Sequence, residues 1–210
     1  MEISHKTQAA LQFLVPSAIL YTLFGAYLLN GSWPTLSVIE EKSASFAFMG
    51  IAAMLVQDLI PKPIKECLVF WRFHERMPGY RAFSSKSLSN PQIDAKHIPN
   101  IADLSNASAD IQQREFYKLY KSVADVRAVA HFSQRYIAWR DLSALLVILG
   151  IVSIPVLLTF DTNRALPVGL ILSGAAFVSY LMTSFAARNV ANGLVIQVLS
   201  IIGQGGKENG

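Results

Sequence analysis

The stretches LSALLVILGIVSIPVLLTF, Leu142 to Phe160, and ALPVGLILSGAAFVSYLMTSFAA, Ala165 to Ala187, contain no Asp, Glu, Lys or Arg. A helix needs about 20 apolar residues to cross the hydrocarbon of a bilayer. Each stretch has that length, so their reading decides the fold: they are expected to be membrane spans joined by a short connection. Working outward, Leu11 to Leu29 is also free of charge, and Ser43 to Gln57 is a shorter run of the same kind. Four spans follow. The fold class expected is all-α, a polytopic membrane protein with four transmembrane helices and a membrane-proximal cytoplasmic helical segment.

Composition agrees. The chain has 210 residues, 52% hydrophobic and 15% charged, with a mean hydropathy of +0.38. Soluble domains carry about 25% charged residues. The net charge is +4. Topology accounts for that excess, because positive charge collects on the cytoplasmic side of spans. No aromatic-basic motif for nucleic acid is present, so no nucleic-acid partner is expected. The single Cys67 excludes an internal disulfide and reads as a small apolar side chain.

The basic residues orient the chain. Near the span ends, Lys62, Lys65, Arg72, Arg76, Arg127, Arg135 and Arg140 lie in the middle segment, against Lys42 and Arg164 in the two outer connections. Both termini and the middle segment are therefore expected in the cytoplasm. A bacterial inner membrane suits so compact a chain with such short outer connections.

Four regions follow. Residues 1–60 form a first hairpin, with spans at about 11–30 and 44–60. Residues 61–110 hold an interfacial helix, about Ile64 to Met77, and then an extended or irregular loop with a short helical turn near Asp94 to His97. Residues 111–189 hold a long cytoplasmic helix running without interruption into the second hairpin, with spans at about 142–160 and 165–187. Asp110 and Gln113 look like the capping pair that starts it. Residues 190–210 form an amphipathic helix and, from Gly203, a flexible tail. Its wide apolar face must be covered by the long helix, by another subunit or by lipid.

The candidate site residues fall into three groups. Lys62, Lys65, Trp71, Arg72, His74 and Arg76 mix basic and aromatic character directly after a span, as a segment in the headgroup plane does. Ala175, Ser179, Thr183 and Ala187 repeat every four residues, a small-residue face suited to close helix contact. Asp58, Arg140, Asp141 and Arg188 fall at cytoplasmic span ends, where Arg188 is expected to pair with Asp58 or Asp141.

Chemistry is not written in the chain. His74 and Glu75 are adjacent, but catalysis needs convergent partners, and spacing supplies none. Arg127 and His131 share a helix face and read as polar contacts between helices. There is no HExxH, no CxxC, no Gly-rich phosphate loop and no GxSxG. Neither catalytic residues, a metal site nor a cofactor is expected. The function expected is a non-enzymatic membrane platform that recruits a cytoplasmic partner or self-associates through its cytoplasmic helices. The alternatives are an oligomeric pore, toxic or defence-related, and an interfacial lipid-active enzyme built on Arg72, His74 and Glu75.

Overall fold

The structure, a computed structural model, describes residues 59–157 and 165–208 and, ahead of them, positions 16, 19, 20, 23 and 27. The first two expected spans, and Asp58 with them, fall almost wholly outside the described residues. Among the described residues every regular element is helical. They run α1 (Lys62–Phe70), a 3-10 turn (Pro78–Arg81), α2 (Ser85–Leu88), a 3-10 turn (Ala95–His97), α3 (Ile101–Asn106), α4 (Ala109–Ser122), α5 (Arg127–Leu157) and α6 (Ala165–Glu208).

α5 and α6 are the frame. They are the two described helices long and apolar enough to cross a membrane. They pack antiparallel along their length, through the pairs Phe132–Gly193, Ser143–Thr183 and Gly150–Ser173. They come close at Gly150, where a Cβ would meet that of Ala176 at 3.3 Å. Small residues at a crossing let two backbones come together and their polar atoms pair.

α6 has two kinds of surface in series. Between Leu166 and Phe185, the side chains of Leu166, Leu170, Ile171, Phe177, Val178, Met182 and Phe185 all point away from the protein. At 1.5 Å per residue this outward apolar belt is about 30 Å tall, the thickness of bilayer hydrocarbon. On the opposite face Val168, Leu172, Ala176, Tyr180, Thr183, Ala187 and Ala191 are buried, repeating every three or four residues. Beyond Ala191 the helix enters a second core. Leu194, Val195, Val198 and Leu199 pack there with Ala82, Phe83, Ile93, Ile98, Phe116 and Val129. This covers the apolar face of residues 190–202 from within the chain.

Four expectations are corrected. First, the 80–109 segment is not extended. Its short helices and turns place Ala82 and Phe83 at zero exposure, and its scattered apolar residues are the lid of the second core. Second, α4 and α5 are separate helices. The N–H groups of Val123 and Val126 bond to the carbonyls of Tyr120 and Val123 at 3.2 and 3.1 Å. The Tyr120 hydroxyl meets Ser133 Oγ at 3.1 Å across the bend. Folding back brings Phe116 and Val129 into one core, which a straight helix would hold apart. Third, Ser108 holds the cap position of α4 and Asp110 lies in its first turn, where a carboxylate favours the positive helix end. Gln112, not Gln113, binds the flanking backbone, at Ala107 O. Fourth, α6 continues through Gly203 to Glu208 rather than fraying into a tail. A Cβ at Gly203 would come within 2.8 Å of the Asp94 carbonyl oxygen. A glycine is therefore needed where α6 crosses that turn.

Candidate functional site

The chemically rich part of the molecule is the junction where α1 crosses α5 and α6, between the apolar belt and the second core. α1 starts after Pro61, with Pro63 in its first turn, where the missing N–H costs nothing. It was expected to reach Met77 but stops at Phe70. Trp71 adopts a left-handed conformation, φ 53°, and its N–H returns to Cys67 O at 2.8 Å. α6 takes the next carbonyls. The Tyr180 hydroxyl donates to Leu68 O at 2.8 Å, and Arg188 Nε donates to Val69 O. Trp71 Nε1–H donates in turn to the Tyr180 oxygen at 2.8 Å. The Arg188 guanidinium lies 3.8 Å from the centre of the Trp71 ring. Helix ends leave orphan carbonyls, and a cation there also complements the negative end of the dipole. α1 ends early because α6 satisfies its last turn.

On the other side of α1, Lys65 and Glu66 turn inward. Asp141 Oδ1 receives Arg140 Nη2 at 2.8 Å, Arg140 Nε at 2.9 Å and Lys65 Nζ at 3.4 Å. All three side chains are 6–7% exposed. The Tyr136 ring lies beside Arg140, 5.8 Å from the guanidinium carbon to the ring centre. Charges this deep persist only when paired and hydrogen-bonded.

The expected site residues distribute as follows. Lys65 does not face headgroups; it is buried against Asp141. Lys62, Trp71, Arg72 and His74 are exposed, while Arg76 is half-buried. Arg140 and Asp141 are partners, but Arg188 is not paired with Asp141; it caps α1 and stacks on Trp71. In the small-residue series Ala175 is exposed and Ser179 half-buried, while Thr183 and Ala187 are buried within the chain. Arg127 and His131 are both exposed.

Several residues that matter here carried no sequence signal. Tyr180 is one uncharged residue among many. Ser143, Ser153 and Ser173 close a polar seam between α5 and α6. Ser143 Oγ donates to Thr183 Oγ1 at 3.0 Å, and Ser173 Oγ donates to Gly150 O at 2.7 Å beside Ser153. Serines are common in spans, so composition did not separate these from others.

Next to the junction lies a polar cavity of about 420 Å³. Glu66, His74, Glu75, Arg76, Tyr80 and Asp110 line it, with Phe73. The end of α1, the strand of chain behind it and the first turn of α4 thus converge on one space. Glu75 sits at φ 44°, a left-handed conformation, and pairs with Arg81 at 3.7 Å. Among the described residues no group of three His, Cys, Asp or Glu side chains is arranged to hold a metal ion.

Compared with protein-family models, with curated proteins and with solved structures, the chain matches none.

Proposed function

We propose that this chain is an integral membrane protein that works as a platform, holding a folded helical domain against the cytoplasmic face of a bilayer. One observation carries the reading. α6 passes without interruption from an outward apolar belt of bilayer height into the buried core formed by residues 82–132 and 194–199. An exposed apolar belt of that extent calls for lipid or another subunit. In this reading the first hairpin supplies two more spans, both termini lie in the cytoplasm, and the host membrane is a bacterial inner membrane. The basic residues of the middle segment support that orientation.

The recruiting surface in this reading is α4 rather than residues 190–202, whose apolar face the chain covers itself. Ile111, Arg114, Tyr117, Lys118 and Lys121 share the exposed side of α4. Lys121 Nζ lies 5.0 Å from the Tyr117 ring centre, and Tyr117 stacks on Tyr120 at 6.2 Å. Basic side chains around exposed aromatic and aliphatic anchors suit an acidic partner. The platform is favoured over a pore because the polar atoms of the α5–α6 seam bond to one another.

Alkaline carbonate washing and site-specific photo-crosslinking test this. The chain is expected to stay in the membrane pellet. A crosslinker at position 117 is expected to give a discrete protein adduct that Lys121→Glu removes, and one at position 178 to capture lipid or a second copy. Release by carbonate ends the anchoring half. Absence of any adduct from position 117 ends the recruiting half.

A further inference from the structure

From the groove between α5 and α6 we infer that the protein holds an anionic phospholipid, its acyl chain in the groove and its phosphate beside Trp71, at Arg72 and Arg188. This rests on the membrane reading above and adds to it one fixed lipid of stated charge. The groove measures about 290 Å³. Leu68 of α1, Val147 and Ile151 of α5, and Phe177 and Tyr180 of α6 line it. Ile151 and Phe177 are exposed, and Phe177 is also a member of the outward belt, so the groove opens at the depth of hydrocarbon. The polar atoms along it are already engaged. Ser173 Oγ donates to Gly150 O at 2.7 Å, and the Tyr180 hydroxyl donates to Leu68 O at 2.8 Å while accepting from Trp71 Nε1. What the groove offers an occupant is therefore apolar. A helix with its side chains is about 10–12 Å across, too wide for so small a groove, whereas a single hydrocarbon chain is thin enough to lie in it.

A continuous series of contacts leads from the groove to a cationic end. The Phe177 and Tyr180 rings lie 6.1 Å apart, and Trp71 bonds to Tyr180 through its indole N–H at 2.8 Å. Trp71 packs edge-on against Phe185 at 5.6 Å. The Arg188 guanidinium carbon lies 3.8 Å from the Trp71 ring centre and 5.4 Å from that of Phe185. Along the axis of α6, Phe177 and Arg188 stand about 16 Å apart at 1.5 Å per residue. That is close to half the roughly 30 Å of bilayer hydrocarbon, the depth one leaflet's chains span. Arg72 follows Trp71 directly and is exposed. Its charge acts on Arg188 from nearby. Among the described residues no carboxylate pairs with either arginine. Two neighbouring like charges call for an anion, and at the head of an acyl groove, beside an interfacial tryptophan, that anion is a lipid phosphate.

The test places a photo-crosslinking residue at position 151 of the full chain, reconstituted in equal parts of phosphatidylglycerol and phosphatidylcholine, and weighs the adducts by mass spectrometry. Phosphatidylglycerol is expected in at least about fivefold excess over phosphatidylcholine, the effect of one arginine near an anionic headgroup. Arg72→Gln is expected to lower that excess by about fivefold. Arg188 is left intact because it also caps α1. A crosslinker at position 166, at the far end of the belt, is expected to take the two lipids equally. That comparison keeps the test decisive if Arg72→Gln does not fold. Equal capture at position 151, the same excess at position 166, or an excess that Arg72→Gln leaves intact overturns the proposal. So does an adduct at position 151 with residues 11–58 or with a second copy in place of lipid. Release of the chain by carbonate defeats the membrane reading itself, whereas equal capture by a chain that stays in the membrane defeats this inference alone.

Discussion

Arg188 stacks on Trp71, guanidinium carbon to ring centre 3.8 Å, while its Nε closes the last turn of α1 by donating to Val69 O. One side chain of α6 thus fixes both the end of α1 and the direction in which the chain leaves it. Charge alone does not do this. The planar guanidinium both stacks and donates from the same orientation, which an ammonium does not reproduce.

Arg188→Lys is therefore expected to destabilise the protein by about 1–2 kcal/mol despite keeping the charge, from the lost stack and the lost cap. Thermal unfolding in detergent measures it. The Trp71 environment should change with it, as a red shift of tryptophan emission that Trp71→Phe abolishes.

Asp141 is shared by Lys65 and Arg140 in a site where all three are nearly fully buried. Asp141→Asn removes the carboxylate that both cations contact and is expected to cost about 3–5 kcal/mol. Adding Lys65→Met should return part of that loss, so a double-mutant cycle on unfolding midpoints should show positive coupling. Additive losses would mean that the pair is not energetically linked.

The two glycines near the end of α6 give opposite expectations. Gly203→Ala drives a Cβ into the Asp94 backbone and is expected to destabilise by about 1–3 kcal/mol. Around Gly205 a Cβ meets nothing within 4 Å, so Gly205→Ala should stabilise by up to about 1 kcal/mol, the difference in helix propensity. Paired melting curves decide it.

Phe83 is at zero exposure within the second core. Phe83→Ala is expected to lose about 3–5 kcal/mol. It should also expose the 80–109 segment to proteolysis, with new cleavage between residues 85 and 100 read by mass spectrometry.

The frame was legible in the sequence because its signal is a missing property: charge is absent over a length that α5 and α6 each need. The continuation of α6 past the end of its uncharged run was legible for the same reason, as an apolar pattern that did not stop. The break between α4 and α5 was not. Val123 to Val126 contains no Gly or Pro, and the chain turns there because Phe116 and Val129 are buried together, a gain that exists only in the folded state. The segment after Tyr80 misled because its apolar residues follow no period. Ala82, Phe83, Ile93 and Ile98 reach one core from separate turns, so no helix or strand spacing links them. At the candidate site the charged members drew attention, but their partners did not. Lys65 reads as a surface lysine until Asp141 is seen beneath it. Tyr180 has no mark at all until α1 ends against it.

The uninterrupted course of α6 has a mechanical consequence. A rod held at one end by α5 and at the other by a protein core acts as a lever. With no hinge between Phe185 and Leu194, any tilt of the upper part must swing the lower part with it. The crossing at Asp94 would register that swing first, because Gly203 leaves no slack there.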